Sequence, residues 1–185
     1  PISGRTIFVY AGNLAIAQGM DILLDLAERL RNRRDIGFMF VGRGSEVPRL
    51  RSSAEQRALD NVVFHDEVDP SEIPGLLGQC HIGLVALDPR HKTHNVPGKF
   101  LTYMQAGLPV LARLNPGNDL ADLIETESVG RVYIGESLEA LQALAVELVD
   151  DKPKRELMSW RGRALAKSAF SPSAAVRQIV AALGT

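Results

Sequence analysis

Short apolar runs alternate with amphipathic ones along most of the chain. Residues 6–11 (T-I-F-V-Y-A), 36–41, 62–65, 80–87, 109–112 and 130–134 are strand-length and largely apolar, which marks strands buried on both faces. Between them apolar positions return every three or four residues. Ile22, Leu23, Leu26 and Leu30 line one face of a helix predicted over 20–32, and Asp21, Asp25, Glu28 and Arg29 line the other. Further helices are expected over 45–59 with Ser45 as cap, over a short stretch capped by Ser71, and over 97–106, 119–125, 138–150, 154–169 and 172–183. This alternation predicts an α/β fold: a doubly wound, six-stranded parallel sheet with helices on both faces, in a single domain over 1–185. Such sheets take ligands beyond the carboxyl ends of their strands, where the strand order reverses. The loops at Gly12, Gly42 and Asp88 would all lie on that edge.

Composition narrows the function classes. The 185 residues are 45% hydrophobic and 23% charged, enough for one ordinary core. A net charge of −1 gives no field that favours nucleic acid, and the basic residues do not interleave with aromatics. The single cysteine, Cys80, cannot form an internal disulfide and is expected to pack as a small hydrophobe, in keeping with a reducing compartment. Trp160 is expected to anchor the penultimate helix to the sheet. No apolar run approaches the ~20 residues of a membrane span, and no signal peptide is evident. A chain starting at Pro1 reads as a fragment or a processed product.

The richest stretch is 91–110, H-K-T-H-N-V-P-G-K-F-L-T-Y-M-Q-A-G-L-P-V. A polar loop leaves the fourth strand there and enters a helix, with Pro97 suited to its first position and Gly107-Leu108-Pro109 to its end. The first-turn amides of Gly98, Lys99 and Phe100 have no acceptor within the helix, and the dipole adds positive charge. Lys99 in that turn is electrostatically disfavoured unless an anion is near. Arg90, Lys92, His91 and His94 stand against Asp88 alone, so the stretch describes an anion site, with phosphate the leading ligand and a solvated basic turn the plainer account.

Other signals are weaker. Gly42-Arg43-Gly44 could let the backbone approach a phosphate or ribose, and His65 ends the third strand on the ligand edge. His81, in an apolar strand, reads as a core or edge residue. Asp66, Glu67 and Asp69 form an acidic turn that could serve a general base, although solvation accounts for it more simply. The first loop lacks a G-x-G-x-x-G, no Walker A sequence or serine elbow occurs, and His91 and His94 lack the company a zinc site needs.

Taken together, these loops resemble the C-terminal, nucleotide-sugar-binding half of retaining GT-B glycosyltransferases of the bacterial surface-polysaccharide branch. The resemblance rests on Tyr10-Ala11-Gly12-Asn13 with Gln18-Gly19, Val41-Gly42-Arg43-Gly44, Asn61-Val62-Val63-Phe64, Val96-Pro97-Gly98-Lys99 through Gly107-Leu108-Pro109-Val110, and Phe170-Ser171. It implies a Rossmann-like domain that binds a nucleoside-diphosphate sugar, a UDP-sugar foremost, with no metal required. Lys99 and His94 are implied as the catalytic pair, and Gly12, Asn13, Gln18, Gly42, Arg43, Gly44, His65, Asn95, Val96, Pro97, Gly98 and Thr102 as substrate-binding. The wider group carries an arginine and a lysine where Asn13 and Gln18 stand, and two glutamates where His94 and Thr102 stand. Thr102 offers a ribose one weaker partner than a carboxylate would, so the donor is left open.

The implied reaction moves a sugar, with retention, to a polysaccharide, lipopolysaccharide or lipid-linked acceptor held by an absent N-terminal domain. The isolated domain is expected to bind donor and transfer nothing. The implied setting is the cytoplasm or, for a membrane-associated full-length protein, the cytoplasmic face of the inner membrane, and no nucleic acid partner is implied. The rival reading is a non-catalytic nucleotide-binding or interaction module that has lost both glutamates. A sugar-nucleotide epimerase of related fold is disfavoured, because no paired carboxylates fall in the predicted cleft.

Overall fold

The computed structural model describes residues 2–88, 90 and 97–169. The described elements are β1 (Thr6–Ala11), α1 (Asp21–Arg29), β2 (Ile36–Val41), α2 (Val47–Gln56), β3 (Val62–His65), α3 (Ile73–Leu77), β4 (Ile82–Ala86), α4 (Gly98–Ala106), β5 (Val110–Arg113), α5 (Asp119–Glu127), β6 (Gly130–Tyr133), α6 (Leu138–Asp150) and α7 (Lys152–Ala169). The expected helix over 172–183 and the Phe170-Ser171 motif lie outside the described residues.

The six strands form one sheet in the order β3-β2-β1-β4-β5-β6, with every pairing parallel. Alternate side chains of each strand enter two separate cores, as the period of two requires. On one face Phe8, Tyr10, Phe38, Phe40 and Leu84 pack against α1, α2 and α6. On the other Val9, Val41, Val85 and Ala112 pack against α3, α4, α5 and α7. The doubly wound expectation is therefore met in strand number, direction and layering.

The order reverses between β1 and β4, and there the sheet parts. β1 stays paired with β2 as far as Ala11 and Val41, whereas its register with β4 ends at Val9 and Gly83. Tyr103 of α4 fills the gap. Its hydroxyl accepts from the Ala11 amide at 2.9 Å and donates to the Val9 carbonyl at 3.2 Å, so a side chain replaces the missing strand. Gly83 makes room for the ring, since a Cβ there would stand 2.5 Å from Tyr103 Cδ2.

Several expectations are corrected. β4 is shorter than 80–87 because His81 lies before it, where its Nδ1 accepts from the Ile7 amide at 3.1 Å and its own amide donates to Ile7 O. Neither Ser45 nor Ser71 caps a helix. α2 and α3 begin two residues later, with Glu46 and Glu72 at the N-cap and a proline in the first turn. The Glu46 amide bonds to Leu14 O at 3.1 Å, which ties that segment to the loop after β1 instead. Trp160 is 65% exposed and anchors nothing to the sheet, because α7 buries the face that carries Met158, Gly162, Leu165 and Ala166. Cys80 is buried as expected, and burial raises its thiol to about 11.

Candidate functional site

Two loops meet at the strand reversal. After β1 the chain makes a single 3-10 turn, Ile16–Gln18, closed by Gly19 at φ +56. A Cβ on Gly19 would stand 3.0 Å from Asp88 Cα, and the Asp88 amide donates to Ala17 O at 3.0 Å. The loop after β2 joins them: Leu14 donates to Arg43 O at 2.8 Å, and Leu14 is buried between the two. Gly42 sits at φ +137 and Gly44 at φ +154, each so close to the neighbouring loop that a Cβ would collide with the carbonyl of Gly12 or Leu14. These glycines serve loop-to-loop packing.

Above these loops lies a cavity of about 690 Å³, lined by Gly12, Asn13 and Gln18 after β1, Arg43 after β2, Glu67, Val68, Pro70 and Ile73 after β3, and Lys99 and Thr102 of α4. Such a volume suits a nucleotide-sized ligand. Lys99 springs from a helix on one face of the sheet and crosses the end of β1, where its Cε lies 3.4 Å from the place of a Gly12 Cβ. Its ammonium ends over the Tyr10 ring, 3.8 Å from the centroid, and donates to the Tyr10 hydroxyl. Burial lowers its pKa from 10.5 to about 8. Among the described residues no carboxylate pairs with it, and the residues outside the description include neither Asp nor Glu. A partly desolvated cation that pairs with no carboxylate among the described residues is a standing place for an anion.

Not every expected residue converges. Gly12, Asn13, Gln18, Gly42, Arg43, Lys99 and Thr102 line the cavity. His65 is exposed on the edge strand with its Nδ1 2.8 Å from Asp66 O, and Gly44 is taken up in loop packing. Pro97 is the N-cap, not the first helical residue, and neither it nor the exposed Gly98 lines the cavity. The Phe100 amide donates to Pro97 O at 2.9 Å, so only the Gly98 and Lys99 amides lack an acceptor among the described residues. Arg90 is not a spare cation, since Asp88 takes its guanidinium as a fork at 2.7 and 2.9 Å. His91, Lys92, His94, Asn95 and Val96 lie outside the described residues.

Sequence reasoning overlooked Tyr10 and the apolar wall of Val68, Pro70 and Ile73. Tyr10 stood in a quoted motif but in a strand, where burial is its ordinary explanation. Of the acidic turn only Glu67 reaches the cavity, and it pairs with Arg43 at 3.3 Å. Among the described residues no three metal-ligating side chains cluster, and no helix is long and apolar enough to cross a membrane.

Comparison with known proteins gives the chain its relatives. WcaI of Escherichia coli (strain K12), named for glycosyl transfer in colanic acid biosynthesis, is 31% identical over 142 residues, covering 75% of this chain and 34% of WcaI. A GDP-mannose-dependent mannosyltransferase of Corynebacterium glutamicum, named for a monoacylated phosphatidylinositol monomannoside, is 27% identical over 158 residues, 83% of this chain and 40% of that protein. The structure of Anabaena HepE with UDP-glucose superposes with a TM-score of 0.80 at 18% identity, over 98% of this chain and 49% of HepE. The chain thus spans less than half the length of each of these relatives. The family model for glycosyl transferases group 1 matches residues 5–151, and the chain belongs to that family.

Proposed function

We propose that the chain is the C-terminal, donor-binding half of a retaining GT-B glycosyltransferase, and that its cavity holds the nucleoside diphosphate of a sugar donor. The observation that carries this reading is the Lys99 ammonium brought to Gly12 at the strand reversal, paired with no carboxylate among the described residues. When the bond from sugar to diphosphate breaks, negative charge gathers on the leaving phosphates. The Lys99 ammonium lies among the residues that line the cavity and would meet that charge, and a preorganised donor of this kind contributes ~3–4 kcal/mol to such a barrier. The role of positive partner is assigned to this ammonium and not to a metal. Thr102 Oγ1 lies 3.3 Å from Gly98 O, so its proton goes to its own helix and its lone pairs are left to accept from a ribose hydroxyl.

The acceptor, a polysaccharide, lipopolysaccharide or lipid-linked glycan, would be supplied by an N-terminal domain at the cytoplasmic side of the inner membrane. HepE binds UDP-glucose, and the Corynebacterium relative takes its name from GDP-mannose. A UDP-sugar is the favoured donor here, and the base is decided by titration. Calorimetry of this chain with UDP, GDP and dTDP should give one preferred nucleotide at micromolar to millimolar affinity, about −8 to −4 kcal/mol. Lys99→Met should weaken it at least about tenfold. Failure of all three nucleotides to bind would refute the reading. Binding without turnover by the full-length protein, across UDP-, GDP- and dTDP-sugars, would support a non-catalytic module, since His94 and Thr102 supply no carboxylate.

A further inference from the structure

Tyr10 is fully buried in the core, yet its hydroxyl meets residues that line the cavity. It has three neighbours there. It accepts from Lys99 Nζ, and its one proton can go to the Asn13 carbonyl at 2.9 Å or to the Gln18 side-chain oxygen at 3.1 Å. Its ring also lies under the same ammonium. An ordinary core tyrosine needs one partner for its hydroxyl; this one touches three cavity-lining residues, two from the loop after β1 and one from α4.

We propose that Tyr10 is the positioning residue of this site, its ring and hydroxyl together holding the Lys99 ammonium at the Gly12 edge and orienting the Gln18 amide into the cavity. The inference rests on the donor-site reading above and adds how that site is held ready. A four-methylene lysine stem has many rotamers, and ordering it only on ligand arrival would cost affinity. The Tyr10 ring, with its centroid 3.8 Å from Lys99 Nζ, gives that ammonium a fixed resting place. Because the tyrosine oxygen accepts from Lys99 Nζ and its proton can go to Gln18 Oε1, the Gln18 Nε2 donors are left to face a ligand. Burial raises the Tyr10 phenol far above its ordinary value, so it stays neutral and does not take the proton from Lys99. Among the described residues the other ionisable groups lining the cavity, Arg43 and Glu67, pair with each other, and Tyr103 on α4 is committed to the β1 backbone.

The test separates this role from the donor reading by using one readout that needs no nucleotide. In protein with 13C-labelled lysine, the Cε resonance of Lys99, assigned by its loss in Lys99→Met, is titrated from pH 6 to 11 in wild type and Tyr10→Phe. The phenylalanine keeps the ring and removes the acceptor, so the Lys99 midpoint should fall below the wild-type value while the other lysines stay put. An unchanged midpoint in a folded Tyr10→Phe overturns the proposal. The second arm measures UDP, GDP and dTDP affinity in both variants and in the double variant. Tyr10→Phe should weaken binding about tenfold, and the loss should shrink to less than about twofold once Lys99 is already Met. Full additivity of the two losses overturns the proposal. A shifted midpoint with no nucleotide bound by wild type refutes the donor reading and leaves Tyr10 as the holder of Lys99. If Tyr10→Phe unfolds, Gln18→Ala replaces it in the second arm, with the same non-additivity with Lys99→Met required.

Discussion

Tyr103→Phe tests whether a side chain stands in for the absent strand at the sheet's parting. The Tyr103 side chain is fully buried, and its hydroxyl accepts from the Ala11 amide, beyond the last residue of β1 that β4 reaches. Phenylalanine keeps the ring against Gly83 and opens no cavity larger than one oxygen. The cost is then the stranded Ala11 N–H together with the lost bond to Val9 O. A buried amide without a partner costs ~1–3 kcal/mol, and we expect ~2 kcal/mol here. In a two-state urea titration the midpoint should fall with the m-value unchanged. By thermal melt the same loss is ~4–8 °C at ~2–4 °C per kcal/mol for a chain of this size. The end of β1 also carries Gly12, so nucleotide affinity should weaken alongside stability. A stability loss under ~0.5 kcal/mol would show that the Ala11 amide finds water or another acceptor, and that Tyr103 does not close the parting.

Gly42→Ala should destabilise by ~2 kcal/mol or more and abolish nucleotide binding, because a left-handed backbone and a collision with the Gly12 carbonyl act together. Near-wild-type urea midpoints would contradict that packing. Glu147 is held at about 2, below its ordinary 4.5, by hydrogen bonds first from Arg131 and then from Lys154. A depressed carboxylate stabilises the fold above its unfolded pKa and loses that contribution as pH falls from about 5 toward 2. Its side chain is a third exposed, so the effect is screened to under ~1 kcal/mol. Wild type should therefore lose slightly more stability between pH 7 and 3 than Glu147→Gln; equal slopes would mean that the pair contributes nothing.

Much of the architecture was legible because it rests on local signals. Residues 6–11, 36–41 and 62–65 match β1, β2 and β3 residue for residue, and 138–150 matches α6. There the apolar period and the flanking turn residues agree. Where they disagreed, tertiary contacts won. Ser45 had the chemistry of a cap, but the backbone of Glu46 was engaged by Leu14 of another loop. Trp160 had the hydrophobicity of an anchor, but it stands on the outer face of α7. At the site, Lys99 and the glycine loops were visible as an anion motif, whereas Arg90 looked free only until its fork to Asp88 was seen.

The amino-acid order by itself determined which segments are strands and helices, that the strands are covered on both sides, and that their polar ends lie along one edge. Those are properties of periodicity and of neighbours within a few residues, where backbone sterics and side-chain burial act directly. Only the tertiary structure decided that Lys99 would pass over Gly12 to meet Tyr10, 89 positions earlier in the chain. That meeting depends on β4 lying beside β1 and parting from it after Val9. Strand order comes from the packing of the whole sheet, and no local pattern encodes it.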